Sequence, residues 1–426
     1  MNNVGTPPRR RVMSPFLGKA LLFLSVFGPA TITAMADNDA TGIGTYSIAG
    51  AQLGYPVLFL LLIITILLAI TQEMGMRLTL VTRKGLADLI REKYGLRMTV
   101  VILVAVLIAN LGTIIADIAA IEATSPMISL PPIPVVVIAV LAAFFIIIRG
   151  NYRFTQSLML ISSLFFIVYI ISAIKAQPDW SLAISNIFYP HGVTLTGGYL
   201  RNYLIIGMGV LGTTITPWGQ FFISSFAGDK KIEKGKITYS QVETYWGAFI
   251  TNFFSFFMIV ATAATLFIHN IPLQSGEQAA LAIEPFAGKL ASVLFAGGII
   301  NAGFMGIVVI SLSTAYMFAE FFGLSGSLND SFKKSKTFYI FYAVQLVLAS
   351  SIVLLPQISF FKILMATQVL DALTLPLIFY FLIRLTNDND VMGDFKNSPF
   401  QKYFAIACTV IIVVASVFAI LSFVIP

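Results

Sequence analysis

The stretch ADNDATGIGT, residues 36–45, sets two carboxylates and two glycines inside an otherwise apolar segment. A continuous membrane helix there would carry Asp37 and Asp39 into hydrocarbon, at a cost of about 2.5–3.5 kcal/mol each on insertion scales. A helix that breaks avoids this cost, because unwound backbone is tolerated at membrane depth when it is buried in protein or lines a wet cavity. The stretch therefore predicts an interrupted membrane helix whose carbonyl and carboxylate oxygens are available to a cation.

The whole chain has the composition of a membrane protein. Of its 426 residues, 58% are hydrophobic and 11% are charged, whereas a soluble domain carries about 25% charged residues. Apolar runs long enough to cross about 30 Å of hydrocarbon recur from end to end. They predict an all-α integral membrane protein of about eleven transmembrane helices, at residues 15–50, 55–80, 97–124, 132–149, 155–174, 200–227, 239–268, 287–322, 337–355, 358–385 and 402–425.

Basic residues gather in alternate loops. They cluster at residues 9–19, 83–97, 149–153, 230–236, 333–336 and 384–402. Because Lys and Arg accumulate in cytoplasmic loops, the alternation supports the helix count and predicts a cytoplasmic N-terminus and an external C-terminus in the cell inner (plasma) membrane. The net charge of +7 belongs to these loops. We therefore expect membrane lipid as a partner, no nucleic acid, and a monomer.

Two further features of the sequence are a short amphipathic segment and a single cysteine. Residues 85–95 (GLADLIREKYG) have charges on one helical side and apolar residues on the other, which predicts a short interfacial helix. The single cysteine, Cys408, lies in an apolar run, so no disulfide is expected within the chain.

A second break is predicted in span 6, at residues 212–220 (GTTITPWGQ). Pro217 removes a helical hydrogen bond and clashes with the carbonyl one turn back. An isolated proline or threonine usually has a structural role. Breaks at matching positions of two five-helix halves, however, indicate an inverted-repeat transporter with a site at the midplane. The predicted organisation is a cytoplasmic tail at 1–14, repeats at 15–174 and 200–385, and an additional helix at 402–425.

Two further spans carry polar residues near their centres. Span 3 has Asn110 and Asp117, seven residues apart, and span 10 has Gln368 and Asp371, three apart, so each pair shares a helical face. Carboxylate, carbonyl, hydroxyl and amide oxygens suit hard cations such as Mg²⁺, Ca²⁺ or Mn²⁺.

The two histidines, His191 and His269, fall in predicted external loops. Their distance from the breaks argues against a site selective for Zn²⁺ or Cu⁺.

The first span resembles the Nramp family of divalent-metal transporters. The resemblance rests on residues 28–55, from Gly28-Pro29 through Asp39 to QLGY, and on VTRKGLADL at 81–89, and it extends weakly over nearly the whole chain. It implies the fold of the leucine-transporter (LeuT) superfamily, a 5+5 inverted repeat with helices 1 and 6 broken. It also implies Asp39 as a metal ligand.

Departures from the family pattern indicate a particular branch of that family. The family's Asp-Pro-Gly-Asn motif is Asp39-Ala40-Thr41-Gly42 here, and Thr216 and Trp218 stand where the family has a methionine ligand and a proton-linked histidine. Asp117 matches a family acid, whereas Asn110 and Ala120 stand where the proton pathway has glutamates.

The expected arginine of span 9 is absent from residues 338–355. These changes are similar to those of the Nramp-related magnesium transporters, which carry Mg²⁺ and Mn²⁺ and are thought to lack proton coupling. Losing a thioether removes discrimination against Mg²⁺, and losing a protein ligand leaves space for the water that Mg²⁺ retains.

The resulting hypothesis is a transporter that imports Mg²⁺ and Mn²⁺ by alternating access, with the ion as substrate and no cofactor or enzymatic activity. The expected metal-contacting groups are Asp39, the carbonyls of Ala36 and Thr213, Thr216, Gln368 and Asp371. Asp37 and Asn38 are expected to line the same cavity.

Four alternatives stay open. The first is a proton-coupled Mn²⁺/Fe²⁺ symporter, in which Asp117 alone would carry the proton. The second is a sodium-coupled carrier of an organic solute, which the acidic break disfavours for anions. An intramembrane hydrolase would need a nucleophile and base, or a metal with His ligands, and the spans offer no histidine. A receptor or scaffold would leave the doubled break unexplained.

Overall fold

The computed structural model describes residues 28–150, 152–193, 197–271, 273–274, 276–355 and 360–424, and these are almost wholly helical. The predicted tail and the start of span 1 at residue 15 lie outside the described residues. The main helices are α1 Pro29–Ala36, α2 Ala40–Leu53, α3 Val57–Thr82, α4 Leu86–Thr124, α5 Pro132–Arg149, α6 Tyr152–Ser163, α7 Ile167–Lys175, α8 Trp180–Phe188, α9 Gly197–Thr214, α10 Pro217–Asp229, α11 Ile237–Thr262, α12 Ala291–Phe322, α13 Lys336–Val353, α14 Phe360–Thr386 and α15 Pro399–Val424. Three short helices, Gly276–Ala280, Glu284–Ala287 and Asn389–Met392, lie in loops.

The part of the chain that the structure describes contains nine helical segments long and apolar enough to cross a membrane. The two remaining crossings are interrupted, α1 continuing as α2 and α9 as α10. These are spans 1 and 6 of the sequence interpretation, so both predicted breaks are confirmed. Within the described residues, nine continuous and two interrupted spans agree with the predicted eleven.

Local backbone chemistry explains where several helices begin and bend. Gly95, with φ 78°, separates the amphipathic start of α4 from its membrane-spanning part, which confirms a short separate helix before the span. Asp179 caps α8 by accepting a hydrogen bond from the Leu182 N–H at 2.9 Å. The helix α8 is absent from the sequence interpretation because nine residues are too few to give a clear hydrophobic period.

Three of the basic segments, at residues 83–97, 230–236 and 384–402, meet on one side of the molecule, here called the basic face. The Arg83 guanidinium donates to the Ile232 carbonyl at 2.5 Å, and Lys93 forms an ion pair with Asp388. Side chains therefore join three loops that the sequence separates widely. Because these loops lie on the same side, the number of spans between any two of them is even, as the sequence predicts.

The polar residues lie at the centre of the bundle and apolar side chains cover its outside. Every described side chain of α1 and α2 is buried apart from Gln52. Ile138 of α5 and Ile411 of α15, by contrast, are 66% and 64% exposed. This distribution, inverted relative to a soluble protein, is the one that a lipid environment requires.

Candidate functional site

The two acids of the span 1 break cap the helices on either side of it. Asp37 closes α1, and Asp39 is the N-cap of α2, with its Oδ1 accepting from the Gly42 N–H at 2.7 Å and the Thr41 hydroxyl at 2.6 Å. The Ala36 carbonyl accepts from the Asp39 N–H at 3.1 Å. Capping uses one carboxylate oxygen of Asp39, so Oδ2 is left as the second acceptor of this buried group.

Asn38 turns away from the other two polar residues of the break. Its amide donates to the Thr251 hydroxyl at 2.8 Å, and its Oδ1 accepts from the Ser255 hydroxyl at 3.1 Å. Both groups of the amide are thus bonded to α11. The expectation that Asn38 lines the cavity is therefore wrong: this side chain anchors the break.

The break in span 6 has the same construction. Thr216 is the N-cap of α10 and accepts from the Gly219 N–H at 3.1 Å, with Pro217 at the first helical position. Since Pro217 has no N–H, the Thr213 carbonyl lacks the donor four residues ahead that a helix would supply. The Thr216 hydroxyl also donates to Asp37 Oδ1 at 3.3 Å. This bond joins the two breaks at the centre of the molecule.

Spans 3 and 10 bring two more acids to the breaks. Asp117 Oδ1 accepts from the Thr41 N–H at 3.2 Å, and Asp371 Oδ2 accepts from the Thr113 hydroxyl at 2.8 Å. The second oxygen of each carboxylate, Asp117 Oδ2 and Asp371 Oδ1, is buried without a hydrogen-bond partner. Each acid therefore keeps one oxygen for a cation or water.

Gln368 reaches the site through close backbone packing. A Cβ on Gly212 would overlap the Gln368 carbonyl and lie 2.9 Å from the Ala372 nitrogen, so α9 and α14 touch directly beside Thr213. The Gln368 side chain is fully buried and its amide atoms have no partner. The structure thus gathers all six predicted metal-contacting residues around the two breaks.

Four carboxyl groups are buried in this region: Asp37, Asp39, Asp117 and Asp371. The last three interact electrostatically with one another, and Asp37 interacts with Asp39. Their polar neighbours among the described residues are hydroxyl groups, backbone N–H groups and, for Asp37, the Gln72 amide, rather than cationic side chains. Such a set of acids needs protons or a cation for neutrality.

The acids around the two breaks do not converge on one point. Among the residues described, no three His, Cys, Asp or Glu side chains form a group that could hold a metal ion. Any cation here would depend on amide, hydroxyl and carbonyl oxygens and on water, in addition to carboxylates.

The structure adds residues that the sequence interpretation passed over. Gly306 of α12 faces Asp117 and Asp39, and a Cβ there would overlap the Asp117 carboxyl. Gln72 and Gln220 are buried beside the breaks, with unpartnered amide atoms. The glutamines carried a signal, since each is a polar residue inside an apolar span. Gly306 carried none, because its role depends on the neighbouring helix.

Sequence comparison relates most of the chain to one family of membrane transporters. Residues 30–422 match a family model described as Nramp, natural resistance-associated macrophage protein-like. A divalent metal cation transporter MntH from Staphylococcus aureus strain bovine RF122 / ET3-1 is 24% identical over 429 residues, covering 94% of this chain and 91% of the relative. MntH from strain Newman is 24% identical over 420 residues, with the same coverage.

Solved structures share the fold. A manganese transporter from Eremococcus coleocola aligns with a TM-score of 0.75 at 21% identity, covering 99% of this chain and 89% of that chain. A nucleobase-cation-symport-1 family transporter in a closed conformation aligns with a TM-score of 0.51 at 16% identity, over 93% and 91%. The predicted all-α inverted-repeat architecture is confirmed by these alignments.

Proposed function

Since this chain belongs to the Nramp family, we propose that it imports Mg²⁺ and Mn²⁺ by alternating access and without proton coupling. Divalent-cation transport is the activity named for its relatives in Staphylococcus aureus. The ion is the substrate, and the chain acts as a transporter rather than an enzyme.

The observation that carries the proposal is the donor chemistry around the two breaks. Asp39, Asp371 and Gln368 offer oxygen ligands, and Thr216 supplies a hydroxyl at the position where the family has a methionine. Oxygen ligands suit Mg²⁺ and Mn²⁺, whereas sulfur would favour softer metals. No three acids among the described residues converge on one point, which suits an ion that keeps part of its water shell, as Mg²⁺ does.

The absence of proton coupling is inferred from what occupies the family's proton pathway. Asn110 is fully buried and donates to the Thr314 hydroxyl at 2.8 Å. An amide in place of a carboxyl group cannot release a proton. Trp218 is also fully buried and carries no titratable ring.

The second candidate is a proton-coupled manganese symporter. It is favoured by Asp117, whose Oδ2 is buried without a partner next to the span 1 break. In that case the carboxyl group of Asp117 would take up and release the proton that accompanies the metal.

We further propose that the basic face is cytoplasmic, in the plasma membrane, and that the chain works as a monomer. The grouping of basic loops on this face supports the orientation. The predicted limits of the two repeats, 15–174 and 200–385, belong to the same proposal.

Proteoliposomes loaded with a fluorescent metal indicator and a pH indicator test these statements together. We expect Mn²⁺ uptake that Mg²⁺ inhibits competitively, without acidification of the lumen. Asp39→Ala should abolish uptake, whereas Asp390→Asn, which changes an exposed loop acid, should not. Failure of Mg²⁺ to compete refutes the magnesium assignment, and metal-driven acidification favours the symporter.

A further inference from the structure

We propose that Asp37, Gln72 and Gln220 form a second cation site, between the breaks and the basic face, that takes a hydrated Mg²⁺ or Mn²⁺ in transit. We call it the Asp37 site. It rests on the proposed function and deepens it, because it would give the ion a second station along its path.

Several buried polar atoms between the breaks and the basic face lack a hydrogen-bond partner. Asp37 Oδ2 and the amide nitrogen and oxygen of both Gln72 and Gln220 are buried without a hydrogen-bond partner in ordinary geometry. The three side chains are at most 1% exposed. Each such atom costs about 1–3 kcal/mol if it stays unsatisfied. Groups of this kind are normally satisfied by water or an ion.

These side chains come from three helices, and α10 packs against both α1 and α3. Asp37 ends α1, and its Oδ1 accepts from Thr216 at 3.3 Å. The Gln72 amide of α3 lies near enough to the same carboxyl group to stabilise its charged form. A Cβ on Gly75, one turn after Gln72, would lie 3.6 Å from the Gln220 carbonyl, so α3 and α10 pack against each other here.

The chemistry of the donors selects the ligand. One carboxylate and two amide oxygens are hard anionic or neutral ligands, suited to Mg²⁺ or Mn²⁺. A single negative charge implies weaker binding than at a centre with several carboxylates. Weak binding suits an intermediate station, since an ion must leave each site that it enters.

The location follows from the direction of the helices. From Gln72, α3 continues to Arg83 at the basic face, and from Gln220, α10 continues to Lys230. Asp37 belongs to the α1 half of span 1, and Asp39 caps the α2 half. The Asp37 site therefore lies on the basic-face side of Asp39.

Mn²⁺ titration of the purified full-length chain, followed by electron paramagnetic resonance, tests the proposal. We expect wild type to bind two Mn²⁺ ions, Asp39→Ala to retain only the weaker one, and Asp37→Asn in the Asp39→Ala background to bind none. Gln72→Leu should weaken the retained event by about tenfold or more.

Gln72→Glu tests the same site if the other variants fold poorly, because it adds a negative charge at nearly constant side-chain volume. We expect it to tighten the weaker event, which a purely structural glutamine would not do. A folded Asp39→Ala protein that binds no Mn²⁺, or a Gln72→Glu protein with unchanged binding, overturns the Asp37 site. If the Asp37 site is overturned but the wild-type protein transports Mg²⁺ and Mn²⁺, the proposed function still holds. If the wild-type protein binds two Mn²⁺ ions but transports neither metal, the Asp37 site holds and the proposed function fails.

Discussion

At the scale of single residues, Gly306 lets α12 pack against the span 1 break. A Cβ at this position would overlap the Asp117 carboxyl and lie 2.9 Å from the Asp39 Cβ. Any larger side chain would therefore separate α12 from two acids of the candidate site. The glycine is needed for close approach, since it has an ordinary helical conformation.

Gly306→Ala should therefore impair Mn²⁺ uptake strongly and lower stability by about 1–3 kcal/mol, the usual cost of overpacking. The matched control is Gly297→Ala on the same helix, where a Cβ meets nothing within 4 Å. That change should be neutral or slightly stabilising. Thermal unfolding in detergent and proteoliposome uptake measure both effects, and equal behaviour of the two variants would contradict the packing argument.

Thr216 combines two roles in one hydroxyl, as N-cap of α10 and as donor to Asp37. Thr216→Met should cost about 1 kcal/mol for the lost cap and bring a thioether to the candidate site. We expect Cd²⁺ to inhibit Mn²⁺ uptake more strongly, and Mg²⁺ less, than in wild type.

Thr216→Val is the control for the first effect alone, because valine removes the hydroxyl without adding sulfur. It should lose similar stability and gain no sensitivity to Cd²⁺. A gain in the valine variant equal to that in the methionine variant would show that the sulfur is not the cause.

At the scale of secondary-structure elements, α1 depends on tertiary contacts for its position. Its eight residues are too few for a stable isolated helix. Glu243 of α11 binds its N-terminus: Oε1 accepts from the N–H groups of Gly28 and Thr31, both at 2.9 Å, and from the Thr31 hydroxyl at 3.0 Å. A buried carboxylate at this end also complements the helix dipole.

Glu243→Gln should loosen α1, because a neutral acceptor replaces a charged one in bonds worth about 1.5–3 kcal/mol each. The position of α1 can be followed in a protein whose single cysteine is at residue 30, made by Cys408→Ser and Ala30→Cys. In this background, we expect Glu243→Gln to accelerate alkylation of the new cysteine roughly tenfold, which corresponds to a loss of ~1.4 kcal/mol of stabilisation. Glu233→Gln, which changes an exposed acid, should leave the rate unchanged. Unaltered alkylation in Glu243→Gln would exclude a holding role for this carboxylate.

At the scale of the whole molecule, a buried polar cluster fastens the additional helix α15 to the bundle. Glu73 and Arg77 of α3 form an ion pair at 2.6 Å. Glu73 also accepts from Gln241 at 2.8 Å and from Gln401 of α15 at 2.9 Å, and Arg77 donates to Asn397 at 2.7 Å. Three sequence-distant segments thus share one ion pair.

Arg77→Met should destabilise the protein by about 3–5 kcal/mol, because it leaves the Glu73 charge buried without its partner. Adding Glu73→Gln should restore part of the loss. Lys84→Met, which breaks an exposed ion pair with Glu92, should cost no more than about 1 kcal/mol. Thermal unfolding in detergent compares the three, and a double variant as unstable as the single one would contradict the unpaired-charge explanation.

The sequence by itself determined the membrane architecture, the two breaks and the common face of the basic loops. These features follow from local rules: acids cannot remain in a lipid-exposed helix, proline removes a hydrogen bond, and Lys and Arg collect on one side. Tertiary structure decided which oxygens are available. Asn38, adjacent to Asp37 and Asp39, is bonded to α11, and Gly306 became relevant only through a neighbouring helix. Contacts between distant segments control these roles, and no local pattern in a single chain records them.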